Sequence, residues 1–178
     1  MADRADVAKG YAIALLTAGA LLGGCTSAVP GEAGPSEEAP PPPPPAACVL
    51  DTAQLATATG ITWTPDQTTA SDTRCVYDPG AGGAQGNDFL AVDVTPAPAA
   101  DVATALDTVA EVCVSGSRTA AGKGGSGFVC RFEGGSVYGA LVRGGQLLTV
   151  GASAVPEGTT DARLTLGVSQ QLGTLSGG

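Results

Sequence analysis

Four cysteines in the carboxyl-terminal three quarters of the chain constrain its fold most: Cys48, Cys75, Cys113 and Cys130. In an exported domain an even number of cysteines indicates disulfides, and four cysteines allow three connectivities. We predict Cys48–Cys75 and Cys113–Cys130, because each bridge joins neighbours in sequence and closes a loop of a helix or turn followed by a strand. Each bridge should contribute about 3 kcal/mol in the chain-entropy model. The chain has no histidine and no C-x-x-C spacing, which argues against a metal site and a redox dithiol.

A fifth cysteine, Cys25, follows an apolar segment near the amino terminus. Residues 11–24 are 14 residues without a charge, and Arg4 and Lys9 lie before them. A membrane-spanning helix needs roughly 20 apolar residues, whereas the apolar part of a signal peptide needs about 7–15. We therefore predict an export signal. The alternatives are an uncleaved membrane anchor and a buried helix.

The run Leu21-Leu22-Gly23-Gly24-Cys25 resembles the lipobox of bacterial lipoproteins. The resemblance implies that residues 1–24 are removed as a lipoprotein signal peptide. Cys25 then becomes the first residue, with a diacylglycerol on its thiol and usually a further acyl chain, such as palmitate, on its amine. Stable anchoring takes two such signals, because one chain binds only marginally. We expect the protein at the cell membrane, lipid-anchored on its extracytoplasmic face.

Residues 25–47 have the composition of a disordered tether. They hold Glu37, Glu38 and six consecutive prolines at 40–45, with almost no large apolar side chain. Such a segment cannot bury enough surface to offset the entropy of ordering. The prolines favour polyproline II and span roughly 19 Å. We prefer a spacer; the alternative is a docking segment for a protein that binds proline-rich peptides.

Residues 48–178 are predicted to form a single globular domain. Their 131 residues suffice for one domain with a modest core. They carry 12 acidic and 6 basic side chains, a net charge of −6. This balance argues against nucleic acid and against an anionic membrane surface as partners, although solubility alone also explains it. The abundance of alanine, glycine and threonine resembles that of proteins from high-GC actinobacterial genomes.

The first half of the domain shows the pattern of one helix and two strands. Asp51 and Gln54 have the spacing of a capping box, with Gln54 reaching back, and the short helix should end at Gly60. Residues 74–78 and 89–95 alternate in the manner of strands, and residues 79–83 connect them. We expect the two strands to pair antiparallel.

In the second half of the domain, apolar residues at helical spacing predict a longer helix over residues 99–114. Its apolar stripe consists of Val102, Leu106, Val109 and Cys113. Residues 115–127 are glycine-rich and irregular. Strands are predicted at 128–133, 136–142 and 146–152. They form a meander through the two-glycine turns at 134–135 and 144–145.

A final helix is predicted after Thr159 or Thr160, one of which caps it. Its aligned apolar positions are Leu164, Val168, Leu172 and Leu175. The predicted fold class is therefore α+β: an antiparallel sheet of about five strands with the helices packed on one face, and two disulfides.

The whole arrangement resembles small exported actinobacterial lipoproteins of unknown function. The resemblance rests on the lipobox, the proline-rich tether, and Cys48-Val49-Leu50 followed by Gly60 and Cys75-Val76-Tyr77. The chain departs from that pattern in its second cysteine pair, which not all such proteins carry. The resemblance implies an exported α+β domain with no assigned reaction.

The sequence offers little catalytic chemistry. Without histidine, Ser-His-Asp and Cys-His arrangements are excluded. Residues 124–128 approach a nucleophile elbow, but Phe128 stands where that motif needs glycine. We therefore predict no catalytic residue, no metal, no cofactor and no enzyme activity.

Two weaker possibilities involve polar side chains of the domain. A dyad of Ser126 and Lys123 competes with the simpler interpretation of an exposed glycine-rich loop. A calcium site from Asp78, Asp88 and Asp93 competes with solvated strand ends, because their spacing matches no calcium loop.

We predict a non-catalytic binding or interaction module that presents a groove to an unknown envelope protein or small ligand. One alternative is an assembly factor for the cell wall or a secretion complex, which a large exposed apolar patch would favour. Another is an envelope hydrolase, which needs a close pair of carboxylates. Trp63 is a weak candidate for ligand binding, and a core position is the preferred interpretation. The ligand and the oligomeric state are left open.

Overall fold

The computed structural model describes residues 46–80, 88–133 and 136–177. The predicted signal peptide, the lipidation site Cys25, the prolines of the tether, most of the 79–83 connection and the 134–135 turn lie outside the described residues. Ala47 is fully buried, so packing of the domain begins just before Cys48. In the described part of the chain, no helix has both the length and the apolar character needed to cross a membrane.

Seven strands and three α-helices form the described part of the domain. In chain order they are α1 (Thr52–Thr59), β1 (Trp63–Pro65), β2 (Arg74–Pro79), β3 (Leu90–Pro96), α2 (Val102–Val109), β4 (Thr119–Ala121), β5 (Gly127–Arg131), β6 (Val137–Arg143), β7 (Gln146–Ala152) and α3 (Asp161–Leu175), with 3₁₀ turns at Ala110–Val112 and Lys123–Gly125.

The strands form one antiparallel sheet in the order β1-β2-β3-β7-β6-β5-β4. The α+β class is confirmed, but the sheet has seven strands rather than about five. The two unpredicted strands, β1 and β4, have three residues each and lie at the two edges. Three residues are too few to show an alternating pattern, so the sequence carries no signal for them.

The expectation that all helices pack on one face of the sheet is wrong. Leu55 of α1 and Leu164 of α3 are fully buried in one cluster on the first face, with Val92 and Val150 of the sheet. Leu106 of α2 lies in a second cluster on the opposite face.

The physical reason is that strands β5 to β7 are apolar on both faces. Val129 and Leu141 are buried beneath α3, whereas Phe128 and Ala140 are buried beneath α2. A sheet whose two faces are both apolar needs cover on both sides. The second half of the sheet therefore takes a helix on each face.

Helix α2 is shorter than the predicted span of residues 99–114. The Asp101 carboxylate accepts a hydrogen bond from the Thr104 amide at 2.8 Å and caps the helix there. After the 3₁₀ turn at Ala110–Val112 the chain becomes extended at Cys113, which forms an isolated antiparallel bridge with Phe132. Because Cys113 lies outside the helix, the predicted apolar stripe ends at Val109.

Both predicted disulfides are confirmed, Cys48–Cys75 and Cys113–Cys130. The first ties the entry of the chain into the domain to β2. The second ties the end of the α2 segment to β5. Each disulfide therefore joins a segment outside the sheet to one of its strands.

Most local signals in the sequence act as predicted. Asp51 caps α1, and Thr160 caps α3 through the Arg163 amide. Gly144 and Gly145 have φ of 57° and 77°. Two left-handed residues suit a tight turn between β6 and β7.

One capping prediction is wrong, because Gln54 does not reach back to Asp51. The Asp51 amide instead donates to Oε1 of Gln171 in α3 at 2.8 Å. Nε2 of Gln171 donates to the Asp51 carbonyl at 3.0 Å and to Oε1 of Gln54 at 2.9 Å. A side chain 120 residues away thus completes the cap of α1 and fastens α1 to α3.

We predict that Gln171→Leu lowers the free energy of unfolding by about 2 kcal/mol, because it leaves the Asp51 amide without its partner. Gln170→Leu is the matched control, since Gln170 is the exposed neighbour on the same helix. Urea unfolding of both variants measures the difference. Equal stabilities would contradict the assigned role of the glutamine.

Candidate functional site

A largely apolar groove of about 260 Å³ lies on the sheet face that α2 only partly covers. It lies where β3 and β6 begin and β7 ends. Its lining residues are Phe89, Ala91, Asp93, Phe132, Ser136, Val137, Tyr138, Thr149, Gly151, Ala152 and Ser153. Apolar pockets with a few polar groups are the usual form of small-molecule sites.

Small side chains make the floor of the groove. Gly151 of β7 pairs with Ala91 of β3 on one side and with Tyr138 of β6 on the other. Residues directly paired across strands share one face of a sheet. A Cβ atom at Gly151 would meet only the Tyr138 ring, at 4.0 Å. The absence of a side chain at Gly151 therefore leaves the space that forms the groove.

Aromatic side chains make its walls. The ring centroids of Phe132 and Tyr138 lie 6.5 Å apart, and those of Tyr138 and Phe128 lie 6.1 Å apart. Phe128 is buried beneath α2, whereas Phe132 is 39% exposed. The three rings thus run from the core to the open side of the groove.

Phe89 forms another part of the wall, and its backbone is fixed by β7. The Phe89 amide donates to Ser153 Oγ at 2.8 Å. The Ser153 amide donates to the Phe89 carbonyl at 3.0 Å. These bonds continue the pairing of β3 with β7 beyond the last regular strand residues.

Asp93 is the one carboxylate among the described residues that line the groove. Its Oδ1 atom accepts from the Arg74 guanidinium at 2.7 Å across the β2–β3 pair. The two side chains are 39% and 50% exposed. Exposed ion pairs of this kind contribute little to stability.

Burial raises the pKa of the Tyr138 phenol above its usual value of 10.0. A hydrogen bond with the Thr149 side chain acts in the opposite direction, and the charge of Asp93 raises the pKa further. The phenol therefore stays protonated at neutral pH and keeps a hydroxyl group at the groove wall.

Trp63 does not lie at this groove. Its side chain is 4% exposed, and its indole N–H donates to Thr59 Oγ1 at 3.0 Å. The side chain packs with the cluster beneath α1 and α3. It occupies a core position and offers no exposed surface to a ligand.

Ser126 and Lys123 do not form a dyad. Ser126 Oγ is buried and finds no hydrogen-bond partner among the described residues. The Lys123 amide donates to Ser176 Oγ at 2.9 Å, which ties this turn to the end of α3. A buried hydroxyl without a base has no access to a substrate.

The three carboxylates considered for calcium are not gathered around one point. Asp93 pairs with Arg74, and within the ranges that the structure describes no group of three or more His, Cys, Asp or Glu side chains is arranged to hold a metal ion.

Sequence reasoning did not single out Phe89, Phe132 or Tyr138 as site residues. Each was placed on a predicted strand, and the alternation there does indicate which face each residue occupies. The missing information was that α2 stops short of this part of the sheet. A weak signal was Gly151, since an isolated glycine in a strand often marks close approach of a ligand or another backbone.

Comparison with known proteins adds no assignment: no family model, no curated protein and no solved structure matches this chain.

Proposed function

We propose that the protein is a lipid-anchored lipoprotein of the cell envelope whose extracytoplasmic domain is a non-catalytic binding module. The lipobox-like run before Cys25 and the proline-rich segment support the anchor and the tether. The groove at Gly151 is the observation that carries the binding role.

The groove suits a small ligand or the apolar side chain of a partner. Apolar and aromatic side chains line most of it, and the Tyr138 hydroxyl and Asp93 supply polar groups. Apolar burial provides affinity in such sites, while a few polar groups fix orientation.

The described residues give less support to an envelope hydrolase. Hydrolysis by paired acids needs two neighbouring carboxylates with separated pKa values. The groove has Asp93 alone, and Arg74 already pairs with it.

An assembly factor is also less well supported. The large apolar side chains that are exposed among the described residues are Val102, Val112, Phe132 and Leu166. They lie on different elements, and single exposed apolar residues need no partner to explain them.

For the anchor, we expect the intact mass of the protein from its native membrane to begin at Cys25 and to include acyl chains. Reduction should add about 4 Da, because two disulfides take up four hydrogen atoms. Cys25→Ser should abolish acylation and leave the disulfides intact. An unmodified first methionine would contradict the proposed anchor.

For the binding role, we expect the neutral dye N-phenyl-1-naphthylamine to bind with enhanced fluorescence. Gly151→Leu should weaken binding about tenfold, equivalent to roughly 1.4 kcal/mol, because the new side chain fills the floor. Gly173→Leu is the matched control, since a Cβ atom there meets nothing within 4 Å and lies outside the groove.

Thermal unfolding of both glycine variants checks that they fold. Dye binding that is equal in the two variants would contradict the groove as the binding site. Failure of the wild-type protein to bind the dye would contradict the proposed function itself.

A further inference from the structure

We propose that the groove selects organic cations, so that an alkylammonium group binds between the rings of Phe132 and Tyr138 and the carboxylate of Asp93. This inference rests on the proposed binding function and names the chemical class of its ligand. Three observations carry it: the aromatic walls, the Asp93 carboxylate in the lining, and the exposed ion pair that Arg74 forms with that carboxylate.

The aromatic walls of the groove are suited to an alkylammonium cation. The rings of Phe132 and Tyr138 have centroids 6.5 Å apart, and Phe89 lines the same groove. Aromatic faces attract ammonium groups within about 6 Å, and several rings together form the cages that recognise quaternary ammonium ligands. Within this domain the same attraction already operates, because the Arg118 guanidinium lies 4.6 Å from the Phe128 ring centroid.

The one charged side chain in the described lining of the groove is acidic, and its partner Arg74 lies outside the groove. Asp93 lines it, and no lysine or arginine is among its described lining residues. Arg74 pairs with Asp93 across β2 and β3, and Tyr77 pairs with Leu90. Continuing this register by one residue places the exposed Asp78 opposite Phe89, next to the groove but outside its lining.

Arg74 shows how a cation meets Asp93 in this protein. Its guanidinium contacts Oδ1 of Asp93 at 2.7 Å, and its side chain is 50% exposed. An exposed ion pair is held weakly, because solvent screens it and two long side chains must be ordered. A ligand cation that also contacts the aromatic walls has an additional source of affinity. It can therefore share Asp93 with Arg74 or displace it.

The test compares choline with 3,3-dimethylbutan-1-ol, which has the same shape with carbon in place of the charged nitrogen. Each competes with N-phenyl-1-naphthylamine for the full-length protein. We expect choline to compete about fivefold more strongly than the uncharged alcohol, in line with cation–π attraction at a partly exposed site. Nuclear Overhauser contacts from the choline methyl groups to ring protons of Phe132 and Tyr138 should accompany the competition.

Three variants distinguish the effect of the Asp93 carboxylate on choline binding from general effects of charge. Asp93→Asn should remove the preference for choline over the uncharged alcohol. Asp107→Asn is the matched control, because Asp107 also pairs with an arginine, Arg118, at 2.6 Å but lies outside the groove. Arg74→Gln should have the opposite effect and strengthen choline binding, since it releases Asp93 from its present partner.

The outcomes distinguish this inference from the proposed function. If the dye binds at the groove but the alcohol competes as well as choline, the cation preference is wrong and the binding role stands. The preference is equally wrong if Asp107→Asn weakens choline as much as Asp93→Asn does. If neither dye binding nor choline contacts to the rings are seen, the groove is not a binding site and both proposals fail.

Discussion

The site depends on a mismatch between the width of the sheet and the length of α2. Strands β5 to β7 are apolar on both faces and need a helix on each side. Helix α2 supplies the second cover, but it begins after its Asp101 cap and ends at Val109, before the 3₁₀ turn that leads to Cys113 and its bond with Cys130. The beginnings of β3 and β6 and the end of β7 are therefore left partly open, and that opening is the groove.

The two edges of the sheet, in contrast, are protected against pairing with another chain. Both edge strands are only three residues long, and β1 ends in Pro65, which has no amide hydrogen to donate. Short edges and proline are the usual defences against pairing with another chain. In the binding role that we propose, the open sheet face, rather than a sheet edge, is therefore the surface for a partner.

Two long-range links fix the segment where the chain enters the domain. Cys48 is bonded to Cys75 in β2, and the Asp51 amide is bonded to Gln171 in the last helix. In the anchored protein that we propose, the tether pulls on this point. A covalent bond to the sheet and a buried side-chain network then prevent the first helix from fraying.

The sequence allowed much of the fold to be predicted, because its signals were local. Asp51, Thr160, Gly60 and the Gly144-Gly145 turn each act within a few residues, and the disulfide pairing follows from proximity along the chain.

What the sequence did not reveal depends on tertiary contacts. Gln171 completes a cap 120 residues away, and β1 and β4 are too short to show a pattern. The side of the sheet that α2 covers is also a tertiary property, because an amphipathic stripe does not say which face it meets. The groove was missed for that reason, although Tyr138 and Gly151 were correctly placed on strands.

The most direct test of the groove as the binding site is a map of backbone amide chemical shifts during titration with N-phenyl-1-naphthylamine. We expect the largest changes at Ala91, Phe132, Tyr138 and Gly151, with little change around Trp63. Changes concentrated on α3, near Gln170 and Gly173, would place binding on the opposite face of the sheet and contradict the groove as the binding site.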